Sequence, residues 1–266
     1  MGILNVTPDS FSDGGLYFDD SAKAVARVEQ MIEEGADIID IGGESTRPGS
    51  TRISPEEELK RIMPIIDAVS HKLGDKVMLS VDTYKSSVAK EALQAGAKMI
   101  NSLGGFTFDS TLADVVAATG CPIVIYHIKG EPRTMQAGAI AYSDVIDDIA
   151  VFFQKEIYFG LSRGMKREQF ILDPGIGFGK TLEHNLELLA QLERLRACDR
   201  PIVIGVSRKS FLGKLINSAQ ISDRLAPAVA LTSILRARGA DVLRVHDVKE
   251  NVNALKVTEA ILQRAK

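Results

Sequence analysis

KVMLSVDTYKSSVAKEALQAGAKMINSL, residues 76–103, holds two apolar runs, 76–81 and 98–103, on either side of a helical pattern at 86–94. Gly96 follows that pattern, where a helix C′ cap is expected. The runs are apolar on both faces, which suits parallel strands covered by helices. The stretch therefore predicts a β-α-β unit. The same unit recurs in both directions along the chain. Further strand-like runs are residues 2–6, 37–41, 122–127, 170–173, 202–207 and 241–246. Helical patterns fall at 21–34, 55–69, 110–118, 143–162, 182–196, 222–238 and 248–263. The second opens with Ser54 as N-cap, Pro55 in the first turn and Glu56 and Glu57 at the positive helix end. Gly35, Gly120, Gly164 and Gly239 stand at further C′ positions. The 266 residues shared among eight such units give about 33 each. This predicts an α/β fold, a (β/α)8 TIM barrel in a single domain over residues 1–266. A doubly wound sheet ranks second, because the turn after the first strand reads Asn5-Val-Thr-Pro-Asp-Ser10 and lacks a glycine fingerprint.

Composition excludes several classes. With 25% charged and 45% hydrophobic residues and a net charge of -3, the chain is an ordinary globular one without a basic stripe, so nucleic acid is not an expected partner. Its longest apolar runs, such as 122–126 and 201–206, fall far short of the ~20 residues that span a bilayer. No signal-peptide pattern opens it, and a cytoplasmic location is expected. Cys121 and Cys198 are far apart and lack metal-ligand spacing.

Polar residues interrupt the apolar runs almost only at their C-terminal ends: Asn5; Asp40 and Glu44; Asp82; Asn101; His127; Asp173; Ser207, Arg208 and Lys209; Arg244 and His246. In a barrel these ends converge on one mouth, where catalytic groups sit. An Asp after a strand is commonly a helix cap, but caps do not require Arg, Lys, His and Asn. Glycine-rich loops at 8–15, 42–49 and 173–180 read as lids and as a phosphate-sized cradle, although the last lacks the Walker pattern. Asp82, Asn101 and Asp173 would read the N–H edge of a flat heterocycle. Arg47, Arg208, Lys209, Arg244 and His246 suggest a phosphate-bearing anion. Ser210 opens the helix after strand seven, where a carboxylate could dock. A divalent ion would stabilise departing charge. No nucleophile pair points to covalent catalysis. Lys180 reads equally as a phosphate partner or an exposed lysine. His71 and His184 read as surface or cap residues, and Tyr142, Tyr158, Phe152 and Phe153 as helix packing.

The segments 1–15, 40–49, 80–83, 130–136, 173–180, 207–213 and 244–248 together resemble the dihydropteroate synthases of the pterin-binding barrel family. The resemblance covers the whole chain. It implies condensation of 6-hydroxymethyl-7,8-dihydropterin diphosphate with p-aminobenzoate to give 7,8-dihydropteroate and diphosphate, with Mg2+ as cofactor. It implies a pterin pocket of Asp82, Asn101, Asp173 and Lys209. The diphosphate would meet Asn5, Thr46, Arg47, Arg244 and His246, with the metal on Asn5. Loops one and two would close with Asp9, Asp13, Thr46 and Arg47. The aminobenzoate would contact Phe11, Thr46, Pro48, Phe178, the Lys209 stem and Ser210. The residues that resemblance makes catalytic are Asp13, Arg47, Asp82, Asp173, Lys209, Arg244 and His246.

Departures from the family pattern are Ser102, where an Asp is common, and Tyr126 and Lys129 in a segment that usually reads Met-His and an uncharged residue. Asn101-Ser102 keeps the methyltetrahydrofolate methyltransferases as a rival, but these are not expected to carry the 45–49 loop or Ser207-Arg-Lys209. A silent pterin-binding homologue is the third reading, weighed against the intact loops and Arg244-Val-His246. Lys129 and Glu131 are expected at the rim. The resemblance also implies sulfonamide sensitivity and a homodimer through the last helices. Family members usually carry a hairpin that plugs the barrel bottom before strand one. Here strand one starts at Gly2, so either side chains close the bottom or the natural chain starts upstream.

Overall fold

The computed structural model describes residues 1–7 and 21–264. Loop one, with the predicted site residues Asp9, Phe11 and Asp13, lies outside the described residues. Among the described residues eight short strands run in chain order: β1 (Gly2–Asn5), β2 (Ile38–Gly42), β3 (Met78–Asp82), β4 (Met99–Leu103), β5 (Ile123–Tyr126), β6 (Phe170–Asp173), β7 (Val203–Ile204) and β8 (Val242–Leu243). β1 to β6 pair in sequence, every pair parallel, and β7 pairs with β8. Two isolated parallel bridges join the pieces: Leu172 to Ile202, and Gly2 to Val245 just past β8. The order of neighbours is thus circular, as the eight β-α repeats predict.

Each strand sends alternate residues inward and outward. In β5, Ile123 and Ile125 join the large core between strands and helices, whereas Val124 and Tyr126 belong to interior clusters. The lower interior layer is Met99, Val124 and Val203, with Met1, Ile38, Ile171 and Val242 packed on it. Side chains therefore fill the bottom of the barrel in the described chain. The upper layer, Tyr84, Leu103, Tyr126, Ile128 and Met135, leads into the mouth.

Nine α-helices occur among the described residues: α1 (Ser21–Glu33), α2 (Pro55–Leu73), α3 (Ser86–Gln94), α4 (Leu112–Thr119), α5 (Val145–Ser162), α6 (Leu182–Ala190), α7 (Ser210–Leu215), α8 (Leu225–Ala237) and α9 (Val248–Leu262). Local chemistry starts them. Ser54 Oγ accepts the Glu57 N–H at 3.2 Å, and Asp144 Oδ1 accepts those of Ile146 and Asp147. Thr181 and His184 cap each other's backbone N–H reciprocally, so His184 is a cap residue as expected. The 182–196 pattern breaks after Ala190 into a 3-10 turn, and 222–238 begins with one. The short helix α7 is the ninth.

Strands seven and eight are two residues each where six were expected. Beyond Ile204 the chain leaves the ladder to place Ser207 and Arg208, and Arg208 adopts φ 59°. Tyr158 is 77% exposed and does not pack on the barrel, unlike Phe153, which is fully buried. No helix among the described residues is long and apolar enough to cross a membrane.

Candidate active site

A cavity of about 1050 Å³ opens at the C-terminal ends of the strands. Asn5, Thr46, Arg47, Pro48, Asp82, Phe178, Lys209, Ser210, Arg244 and His246 all line it, so ten of the residues singled out from the sequence converge on one space. Gly42 lies between two of them: a Cβ there would sit 3.7 Å from Asn5 Oδ1 and 4.0 Å from Asp82 Oδ2.

Charged hydrogen bonds build the floor. Arg244 donates from Nε to Asp40 Oδ2 at 2.7 Å and from Nη2 to Asp82 Oδ2 at 3.0 Å. Asp40 is fully buried, and its two oxygens also accept from Ser80 Oγ at 2.6 Å and Asn101 Nδ2 at 2.8 Å. Tyr126 donates its hydroxyl to Asp82 Oδ1 at 3.0 Å. Burial pushes the Asp82 carboxyl up against the pull of Arg244, and the Asp40 charge adds to the push. Asn101 is paired in register with Asp82 on the neighbouring strand and is buried. Its Oδ1 has no hydrogen-bond partner among the described residues. An orphaned buried acceptor costs about 1–3 kcal/mol, and a ligand N–H would relieve that cost.

Asp173, also buried, accepts the Gly175 N–H at 2.7 Å. Burial raises its pKa, opposed chiefly by the charge of Lys209. Neither Asp173 nor Asn101 lines the cavity. Lys209 donates to the Ile176 carbonyl, and its ammonium stands 4.9 Å from the Phe178 ring centroid. Burial lowers it to about 8, against the opposing effect of Asp173.

The glycine-rich segment 174–180 needs its glycines. At Gly175, φ +68°, a Cβ would lie 1.8 Å from the His127 carbonyl oxygen; at Gly179, φ +62°, it would lie 2.3 Å from that of Lys129. Lys180 is buried rather than exposed. Its Nζ meets His127 Nδ1 and the Gly175 carbonyl at 2.9 Å and the Phe178 carbonyl at 3.0 Å, while burial and the charge of Lys209 hold its pKa well below the usual lysine value. It therefore ties the segment shut, helped by Tyr142, which donates to the Gly179 carbonyl. Burial, with the charges of Lys180 and Lys129, lowers His127 to about 2, so its ring is neutral.

The lining is also rich in cations. His246 feels, after burial, the positive charges of Arg208, Arg244, Arg47 and Lys209, and is held well below the usual imidazole range. Ser207 Oγ accepts the His246 backbone N–H at 3.2 Å and stands 3.1 Å from Nδ1. Arg208 is held by Asp247 in a bidentate pair at 2.6 and 3.1 Å. Ser210 opens α7, behind Lys209 at its N-cap.

Loop two, from Gly43 to Ser54, is fastened by Glu44. One carboxylate oxygen accepts Tyr84 Oη at 2.8 Å; the other accepts Lys85 Nζ at 2.5 Å and the Ile53 N–H at 3.2 Å. Lys85 also binds the buried Glu58 at 2.5 Å. The loop after β5 meets loop two through Gly49 N–H to Pro132 carbonyl, and through the exposed pair Arg52–Glu131. Lys129 and Glu131 are at the rim as expected.

A family model described as pterin binding enzyme matches residues 1–246. The chain belongs to this family. It is 44% identical over 98% of its length to the dihydropteroate synthase of Synechocystis sp., covering 89% of that protein. A crystal structure of Yersinia pestis dihydropteroate synthase with a sulfonamide drug complex superposes with TM-score 0.94 at 42% identity, covering 99% of this chain and 94% of that one. The Xanthomonas albilineans synthase in complex with 7,8-dihydropteroate gives TM-score 0.84 at 35% identity, covering 98% and 92%.

In this pterin-binding enzyme the residues that sequence reasoning left without a role are those that hold others. Asp40 and Glu44 were visible as polar strand ends, but their partners lie on distant strands and helices. Tyr126 ends an apolar run and carried no polar signal of its own. Lys85 and Glu58 sit in helical stretches, where a charge ordinarily reads as a solvated face.

Proposed function

We propose that this chain is a dihydropteroate synthase: it condenses 6-hydroxymethyl-7,8-dihydropterin diphosphate with p-aminobenzoate, releasing diphosphate. The observation that carries the reading is one cavity whose lining joins Asp82 to Arg47, Arg208, Lys209, Arg244 and His246, with the unpartnered Asn101 amide oxygen in register with Asp82 and a second buried carboxylate, Asp173, at the end of β6. Its ~1050 Å³ is at the upper end of ordinary ligand sites and accommodates two substrates.

In this reading the pterin N–H groups meet Asp173 and Asn101, with Asp82 and Lys209 alongside. The diphosphate lies against His246, Arg47 and Thr46. Arg244 already serves Asp40 and Asp82 through two of its nitrogens, so it acts on the diphosphate mainly as a positive charge. As the C–O bond to diphosphate breaks, positive charge grows at the pterin methylene. Asp82 and Asp173 favour that charge, and the cationic wall favours the departing anion. The arylamine is already a nucleophile at neutral pH, so no strong base is required. Pro48, Phe178 and the Lys209 stem form its slot, and Ser210 receives its carboxylate.

Among the described residues no three His, Cys, Asp or Glu side chains gather as a metal cage. Asn5 supplies one oxygen at the cavity wall, a single donor that fits Mg2+ if the remaining oxygens come from diphosphate and water. Bound there, the ion would neutralise charge on the leaving group.

One barrel unit over residues 1–266, a cytoplasmic location and a homodimer belong to the same proposal. The dimer is supported by Ile234 on α8 and Val257 and Ile261 on α9, which are 48%, 63% and 64% exposed. The test is diphosphate release by purified protein with Mg2+ and both substrates. Release that depends on p-aminobenzoate is the expected result; none from a folded protein would overturn the assignment.

A further inference from the structure

Tyr126 is buried at 5% exposure, ends β5 inside the barrel, and reaches past β4 to a carboxylate on β3. Its ring packs edge-on to Phe178 with centroids 5.5 Å apart, within the cluster that lines the entrance to the floor. We propose that Tyr126 is a positioning residue for the pterin site: its hydroxyl, opposite the Arg244 guanidinium, fixes the Asp82 carboxylate in one rotamer, so that Asp82 can face the pterin. The inference rests on the pterin reading of the cavity.

The geometry leaves Tyr126 few alternatives. Arg244 grips Asp82 Oδ2, and Tyr126 takes Oδ1, so the carboxylate is clamped from two sides by groups on β5 and just beyond β8. A carboxylate clamped by two donors loses rotational freedom about χ2 and presents its remaining lone pairs in a fixed direction. The phenol stays a donor at any working pH, because burial and the Asp82 charge raise its pKa well above the usual tyrosine value. Arg244 from the β8 end, Asp40 from β2, Tyr126 from β5 and Glu58 from α2 all act on the Asp82 charge. Of these, Arg244 and the Tyr126 hydroxyl favour the ionised form, whereas Asp40 and Glu58 disfavour it, as does burial. Removing the hydroxyl tips the balance toward the protonated carboxyl.

Tyr126→Phe keeps the ring and its contact with Phe178 and deletes only the donor. With Asp82 raised to about 7 in the parent, the acid limb of kcat/KM for the pterin diphosphate is expected to move to higher pH by about one unit, with a loss of roughly fivefold at pH 7 and about tenfold below the limb that recovers as pH rises. KM for p-aminobenzoate should stay within about twofold. On an Asp82→Asn background, where nothing titrates at that position, adding Tyr126→Phe should produce no further shift. Calorimetric binding of 6-hydroxymethyl-7,8-dihydropterin alone, with parent and Tyr126→Phe proteins across pH, supplies a readout independent of turnover. An unmoved acid limb, or a loss shared equally by both substrates, overturns the proposal. If the parent chain releases no diphosphate, the reaction assignment fails, and the pH dependence of pterin binding still decides the role of Tyr126.

Discussion

Asp40 is the keystone of the floor, and replacing it tests whether the buried charge network is what holds the site. In Asp40→Asn the side chain keeps its size but loses its charge. Its carboxylate accepts three hydrogen bonds in the parent, from Ser80 at 2.6 Å, Asn101 at 2.8 Å and the Arg244 Nε at 2.7 Å, and it is fully buried. The amide has one acceptor oxygen for those three donors, so at least one buried donor is stranded and Arg244 loses one of its two counter-charges. Breaking a buried ion pair by removing one partner costs about 3–5 kcal/mol. Ser80→Ala, by contrast, removes a single hydrogen bond to a charged acceptor, about 1.5–3 kcal/mol, and leaves the ion pair standing. At ~2–4 °C per kcal/mol in a chain of this size, Asp40→Asn should lower Tm by on the order of 10 °C, and Ser80→Ala by about half as much. Urea unfolding followed by circular dichroism measures both. Asp40→Asn within about 1 kcal/mol of the parent would refute the reasoning, because Arg244 would then need no counter-charge on β2.

Gly175→Ala should cost about 1–3 kcal/mol from its positive φ, plus the clash with the His127 carbonyl; a melting curve unchanged from the parent would show that the loop does not need glycine there. Lys209 has a folded pKa of about 8, below its unfolded value near 10.4, so the unfolded chain binds more protons between these values. The folded state should therefore gain stability as pH rises from about 8 to 10. Lys209→Met should remove that rise, stabilise the fold at pH 7 and abolish diphosphate release; urea midpoints against pH decide it. Ile261→Glu should shift the proposed dimer toward monomer in sedimentation velocity, and an unchanged sedimentation coefficient would place the interface elsewhere. Diphosphate release should be inhibited by a sulfonamide in competition with p-aminobenzoate, and inhibition insensitive to p-aminobenzoate concentration would count against the Phe178–Lys209 slot.

Much of this protein could be read from residue order, because period and caps are local. Apolar runs separated by helical stretches, Ser54-Pro55 before a helix and Gly96 after one each act within a few residues of themselves. The polar strand ends were equally legible, because a parallel barrel carries every C-terminal strand end to one face. That is why ten residues from six different segments meet in one cavity. Where local geometry departs from regular pairing, the reading was poorer. The two-residue strands β7 and β8 follow from a chain that turns away to place Ser207 and Arg208, and periodicity does not report that turn.

What only the tertiary structure decided is which charge answers which. Arg244 was read as a phosphate ligand. In the fold it first serves Asp40, 204 residues away, and Asp82, 162 away. Lys180 was read as a phosphate partner or an exposed lysine; it is not exposed but buried at the cavity wall, held by His127 and two carbonyls. Tyr126 ended an apolar strand, and it clamps a carboxylate two strands away. Charge pairing is settled by distance and desolvation together. A chain order that places two residues far apart says nothing of either until the ring of strands brings them within 3 Å and removes the water between them.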